Sequence, residues 1–164
     1  MLLNKRIYES SFFNIKGIAL LNSAKYICYV IPFLFAGYLY ITAMQTNQPF
    51  LEKVEQNPIF TTLFLIAMLQ PFVSLAIELG LNSLEKGSYS NSIHYIFILL
   101  ALAELLLGNI LACLLIGLGS CLHQKQSETK KHSNVRFYLA IGSSLFIFLL
   151  SILCVSILIK LVAI

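Results

Sequence analysis

Two carboxylic acids stand where a carboxylic acid is costly. All seven acidic residues are glutamate, and two of them, Glu78 and Glu104, fall inside long apolar windows. An ionisable side chain at the centre of a membrane span costs ~2.5–3.5 kcal/mol even on the mildest scale, so it is a functional hypothesis by default. Glu104 has Ala101, Gly108 and Ala112 at i−3, i+4 and i+8. That stripe of small residues permits close helix approach, so the carboxyl group is expected to face another helix, and Asn109 adds a polar group one position round from Gly108. Glu78 shares a face with Pro71, Ser74 and Asn82, and Gln70 adjoins Pro71. A proline inside a span removes one helical hydrogen bond and bends the helix, and neighbouring Ser and Gln side chains can serve the freed carbonyl. A kinked helix with a polar face lines a cavity or meets a partner. Three chemistries suit Glu104: a polar contact within the bundle, a contact with a partner membrane protein, or proton or cation coupling. Glu78 also has a plainer reading, as a residue near the headgroups paired with Lys86.

Catalysis finds no footing elsewhere. The chain has no Asp and no Trp, so the Asp dyads and clusters of intramembrane aspartyl proteases, lipoprotein signal peptidases and phosphatidyl-alcohol transferases cannot be assembled. No phosphate-cradling glycine loop occurs. Gly142, Ser143 and Ser144 form no nucleophile elbow, and no histidine lies mid-span to act as a base. Cys121, His123 and His132 fall short of the matched three- or four-ligand spacing that a metal requires. Cys28, Cys113 and Cys154 sit in apolar windows, where cysteine behaves as a small hydrophobe. The expectation is a non-enzyme with neither cofactor nor metal. Nucleic acid is not an expected partner either, because the net charge of +4 comes from eleven Lys and Arg scattered along an apolar chain.

The elements that must position these residues follow from composition. The 164 residues are 59% hydrophobic and 11% charged, with a mean hydropathy of +0.85. A soluble domain carries about 25% charged residues, so this chain could not cover a wet surface. Four apolar windows, 26–44, 59–81, 93–118 and 137–159, match the ~20 residues that cross a hydrocarbon core. Strand alternation is missing. The expected fold is all-α: four transmembrane helices joined by short loops into an antiparallel bundle. Residues 1–25 form an amphipathic N-terminal tail, either an interfacial helix or a lead into the first span, and 26–164 form the transmembrane domain. No signal-peptide cleavage site follows the basic start, so the N-terminus is expected to be retained. Tyr26, Tyr29, Tyr38, Tyr40, Tyr89 and Tyr95 read as aromatic belts.

Four spans put both termini on one side. Lys5, Arg6, Lys16, Lys25, Lys86 and Lys160 then face Lys53, Lys125, Lys130, Lys131 and Arg136 across the membrane. That count is nearly balanced, and the N-terminal cluster tips both termini toward the cytoplasm. The Asp-free, Lys- and Ile-containing composition fits an AT-rich bacterial genome and hence a bacterial cytoplasmic (inner) membrane.

The stretch IAMLQPFVSLAIELGLNSLEKG is similar to the small membrane immunity proteins of pore-forming colicins. Those proteins place a Pro seven residues before the Glu of an Ile-Glu pair at the end of a span, as Pro71, Ile77 and Glu78 do here. The likeness covers about a third of the chain, and the tail before the first span departs from it. The resemblance implies three or four spans, no enzymatic activity, and recognition of a toxin's pore domain within the bilayer. The functional expectation is therefore a small polytopic protein acting by helix–helix contact with a partner membrane protein, in an immunity, assembly or accessory role. The alternatives are a small homo-oligomeric secondary transporter using Glu104 or Glu78, and a structural subunit of a larger membrane complex. The candidate contact or coupling residues are Glu104, Glu78, Gln70, Pro71, Ser74, Asn82, Gly108 and Ala112.

Overall fold

A computed structural model describes residues 2–46, 54–55, 57–85, 90–122 and 135–162, with side chains over 15–45, 54–55, 57–84, 93–122, 135 and 137–161. Asn57 and Pro58 show how a span is started here. The Asn57 side-chain oxygen accepts the Ile59 backbone N–H at 3.0 Å, and Pro58, with no N–H to leave unpaired, takes the first helical position. From there α2 runs Pro58–Glu85. It follows α1, Leu2–Thr46, and precedes α3, Ser90–Leu106, α4, Ile110–Leu122, and α5, Val135–Val162.

Among the described residues, three helices are long and apolar enough to cross a membrane, through the windows Ile15–Gln45, Pro58–Leu84 and Phe137–Leu161. The chain is a multi-pass integral membrane protein. α1 is continuous from Leu2 to Thr46, so the basic N-terminal segment runs into the span as one helix. The amphipathic pattern expected of the first residues lies outside the described side chains.

The third expected span is not one helix. α3 stops at Leu106 and α4 starts at Ile110. Between them the Gly108 N–H donates to the Leu105 carbonyl at 3.1 Å, and the Asn109 N–H donates to the Glu104 carbonyl at 2.9 Å. Gly108 has φ +80°. These bonds make a Schellman cap, which needs a left-handed residue that only glycine adopts without cost. Asn109 then starts the next helix, its side-chain oxygen accepting the Ala112 N–H at 3.3 Å. The four-span bundle is thus corrected to three long helices and two short ones. Hydropathy misses the break because leucine and alanine continue on both sides of it.

The two short helices fold back on each other. Ser120 Oγ lies 2.6 Å from His94 Nδ1, which pairs the start of α3 with the end of α4. Their 17 and 13 residues reach ~25 and ~20 Å at 1.5 Å per residue, each short of a ~30 Å hydrocarbon core. The hairpin therefore enters and leaves at one end of the bundle, the end where Gly80 of α2 meets Phe97 of α3 and Gly119 of α4 meets Leu21 of α1. A Cβ on Gly119 would stand 3.0 Å from the Gly17 carbonyl oxygen, so the missing side chain is what lets α4 approach α1.

Around the hairpin the helices close a ring. α1 packs on α2 and α4, α4 on α3, α3 on α5 and α5 on α2, while α2 and α3 also touch across the ring. Leu21, Cys28, Val73, Ile77, Phe97, Leu100, Ile116 and Ile147 fill the core. Glu104, just before the hairpin tip, is buried beside them, while Leu105, Leu106 and Ile110 of the tip stay exposed.

Candidate intramembrane polar site

Gln70 stands twelve residues after Pro58 and fourteen before Leu84, the limits of the α2 window, so it marks mid-depth. There it meets the hairpin tip. Gln70 Nε2 donates to Glu104 Oε1 at 3.2 Å, and Asn109 Nδ2 donates to Glu104 Oε2 at 2.7 Å. The same Asn109 amide lies 3.3 Å from Gln70 Oε1. Each member of the trio bonds to both others. Glu104 is 0% exposed and Gln70 1%. An unpaired polar group in hydrocarbon costs several kcal/mol, and this closed triangle removes that cost while tying α3, the turn and α2 together.

The sequence-expected residues divide into two places. Glu104, Gln70 and Ala112 come together at the tip, Ala112 through its backbone bond to Asn109. Gly108 does not serve as a close-approach residue between helices: a Cβ there would meet nothing within 4 Å, and the position is set by its positive φ. The continuous stripe of Ala101, Gly108 and Ala112 is therefore corrected, since the turn splits it between two helices. Pro71, Ser74 and Glu78 line a different feature, a groove of about 290 Å³ between α1 and α2 that also involves Lys25, Tyr26, Tyr29 and Leu75. Asn82 is half-buried and lines neither. The Glu78–Lys86 pair falls outside the described residues, because Lys86 does.

Three contributing residues were not legible as such. Asn109 reads in sequence as a mere neighbour of Gly108, yet it is both a helix cap and a member of the triangle. A Gly-Asn pair inside an apolar run is the stop-and-start signal that would have found it. His94 and Ser120, 26 residues apart, carry no local signal and need the hairpin to meet.

Chemically the triangle is a clamp. Both carboxyl oxygens of Glu104 are engaged within the chain, and among the described residues no group of three His, Cys, Asp or Glu gathers that could hold a metal ion. Compared with known proteins, the chain matches no family model, no curated protein and no solved structure.

Proposed function

We propose that this chain is a non-enzymatic, multi-pass protein of a bacterial cytoplasmic membrane that acts by helix contact with another membrane protein, in an immunity, assembly or accessory role. The observation that supports this reading is the clamp on Glu104. Glu104, the mid-depth carboxyl group most able to couple transport, is fully buried and accepts from Gln70 and Asn109. What the chain presents outward at that depth is apolar: Leu105, Ile110 and Leu111 are exposed around the tip. Capture of the tagged chain from solubilised membranes of its source, after in-membrane cross-linking at Ile110, is expected to yield one stoichiometric membrane protein. A chain that cross-links to nothing, and whose proteoliposomes carry a proton or cation flux abolished by Glu104→Gln, would overturn it.

One observation favours the transporter as a second reading. Broken helices at the bilayer midplane are the substrate- and ion-binding elements of many secondary transporters, and Glu104 sits at such a break. The same flux measurement separates the two.

The hairpin also supports a reading of orientation. With α3 and α4 returning to the end they left, the chain crosses three times, and its termini belong on opposite faces. The polar stretch QKQSETKKHSN cannot cross hydrocarbon, so α5 starts where α4 stops. Lys5, Arg6, Lys16, Lys86, Lys125, Lys130, Lys131 and Arg136 then share one face, against Lys53 and Lys160 on the other. Lys16 and Lys160 stand at the outer ends of the α1 and α5 windows, whereas Lys25 lies ten residues inside the α1 window and is not counted. A near-even count becomes a strong asymmetry, which supports an N-terminus in the cytoplasm and a C-terminus outside it. Reporter fusions should report the N-terminus inside and the C-terminus outside. Both ends on one side would restore four crossings.

A further inference from the structure

Lys25 and Glu78 form a second polar feature, and it faces outward. Both line the groove between α1 and α2, yet among the described residues they form no ion pair with each other or with any other group. The Lys25 ammonium lies instead 5.1 Å from the centre of the Tyr26 ring. Glu78 stands seven residues before the end of α2 at Glu85, ~10 Å along the helix and inside the apolar window Pro58–Leu84. Lipid tails offer neither charge a partner.

Ser74 adds an independent sign of something missing. It lines the same groove, one helical turn before Glu78. It is 5% exposed and its hydroxyl makes no hydrogen bond among the described residues. Its counterparts at membrane depth do otherwise: Ser23, Thr42, Thr62, Ser83, Ser144 and Ser151 each donate to a carbonyl of the preceding turn. A buried hydroxyl without a partner is a cost that native structures seldom carry. Ser74 and Glu78 together present two oxygens at i and i+4, a seat for an ammonium group.

We propose that the occupant is Lys25 of a second copy of this chain. A groove that carries one cation and one anion at a common depth is self-complementary. A twofold axis along the membrane normal brings Lys25 of each copy to Glu78 and Ser74 of the other, satisfying both charges twice in one closed interface. The exposed Tyr29, Phe72 and Leu75 around the groove supply the apolar surface of that contact. The dimer does not depend on the function proposed above.

Charge exchange between two differently tagged chains tests it in bilayers. Lys25→Glu and Glu78→Lys, each expressed alone, set like charges opposite one another, whereas their co-expression restores two interchain pairs. The expected result is a dimeric wild type, and about tenfold more mixed than self-paired dimer when the variants are co-expressed, since like-charge juxtaposition costs several kcal/mol. Thermal melting in detergent confirms that each variant is folded before it is scored, and the Lys25→Gln/Glu78→Gln double variant replaces any that is not. That neutral pair should self-associate more weakly than wild type. Equal mixed and self-pairing would overturn the proposal. So would a wild type that is monomeric in the bilayer, including one that co-purifies with a zwitterionic phospholipid whose headgroup fills the groove.

Discussion

Glu104→Leu is expected to lose ~1–3 kcal/mol of stability, because it leaves the buried Gln70 amide without its acceptor and Asn109 with only its longer bond, to Gln70 Oε1. Glu104→Gln should lose less than half of that. A glutamine there still accepts from Asn109 through its carbonyl, and its own amide can donate to Gln70 once the Gln70 side chain turns over. Reversible unfolding in mixed micelles measures both. Membrane hydrogen bonds average only ~0.6 kcal/mol in double-mutant cycles, so a Leu variant near that value would mean that the amides find other partners. A Leu variant equal to wild type would remove the clamp as a structural device. A double-mutant cycle between Gln70→Leu and Glu104→Leu should show the two losses falling well short of additive, since either change opens the same triangle.

Gly108→Val is the second large effect. The turn holds Gly108 at φ +80°, a conformation that costs a side-chain-bearing residue ~1–2 kcal/mol and a β-branched one more. Space is not the obstacle, since a Cβ at this position would touch nothing. Gly108→Asn, which tolerates the left-handed region, should therefore retain most of the stability that Gly108→Val loses. The Val variant also raises the relative standing of an uninterrupted helix through 90–122. A C-terminal reporter should then appear on the cytoplasmic side in a fraction of molecules. If Val and Asn variants are equally stable, the turn is held by something other than backbone conformation.

That pair of substitutions also marks where sequence reading stopped. The all-helical class, the membrane setting and three of the four windows were legible because each rests on a local property: apolar length against bilayer thickness. The same property concealed the turn at Gly108, since the Leu-rich sequence stays apolar through it and mean hydropathy carries no trace of a reversal. The cue was present as Gly108 followed by Asn109, a helix stop beside a helix start, and it was outweighed by length. Glu104 stood out through charge alone, and Gln70 as part of a polar face, but their pairing spans 34 positions and depends on the hairpin folding back. Glu78 shared that face in projection, yet the rotation between positions 70 and 78 turns one inward to α3 and the other outward to the α1 groove.

The hairpin has a consequence for how the protein is made. Neither α3 nor α4 is long enough to be halted in the bilayer by itself, and α3 carries a carboxyl group whose partners are Asn109, not yet synthesised, and Gln70, already in place. Chain order supplies what is needed: α2 precedes the hairpin, so its amide is waiting at mid-depth when residues 104–109 leave the ribosome. The short helices enter as a pair, against a docking surface, and not one after the other. Insertion of this protein is therefore expected to be templated, with α2 as the template and Gln70 as its mark.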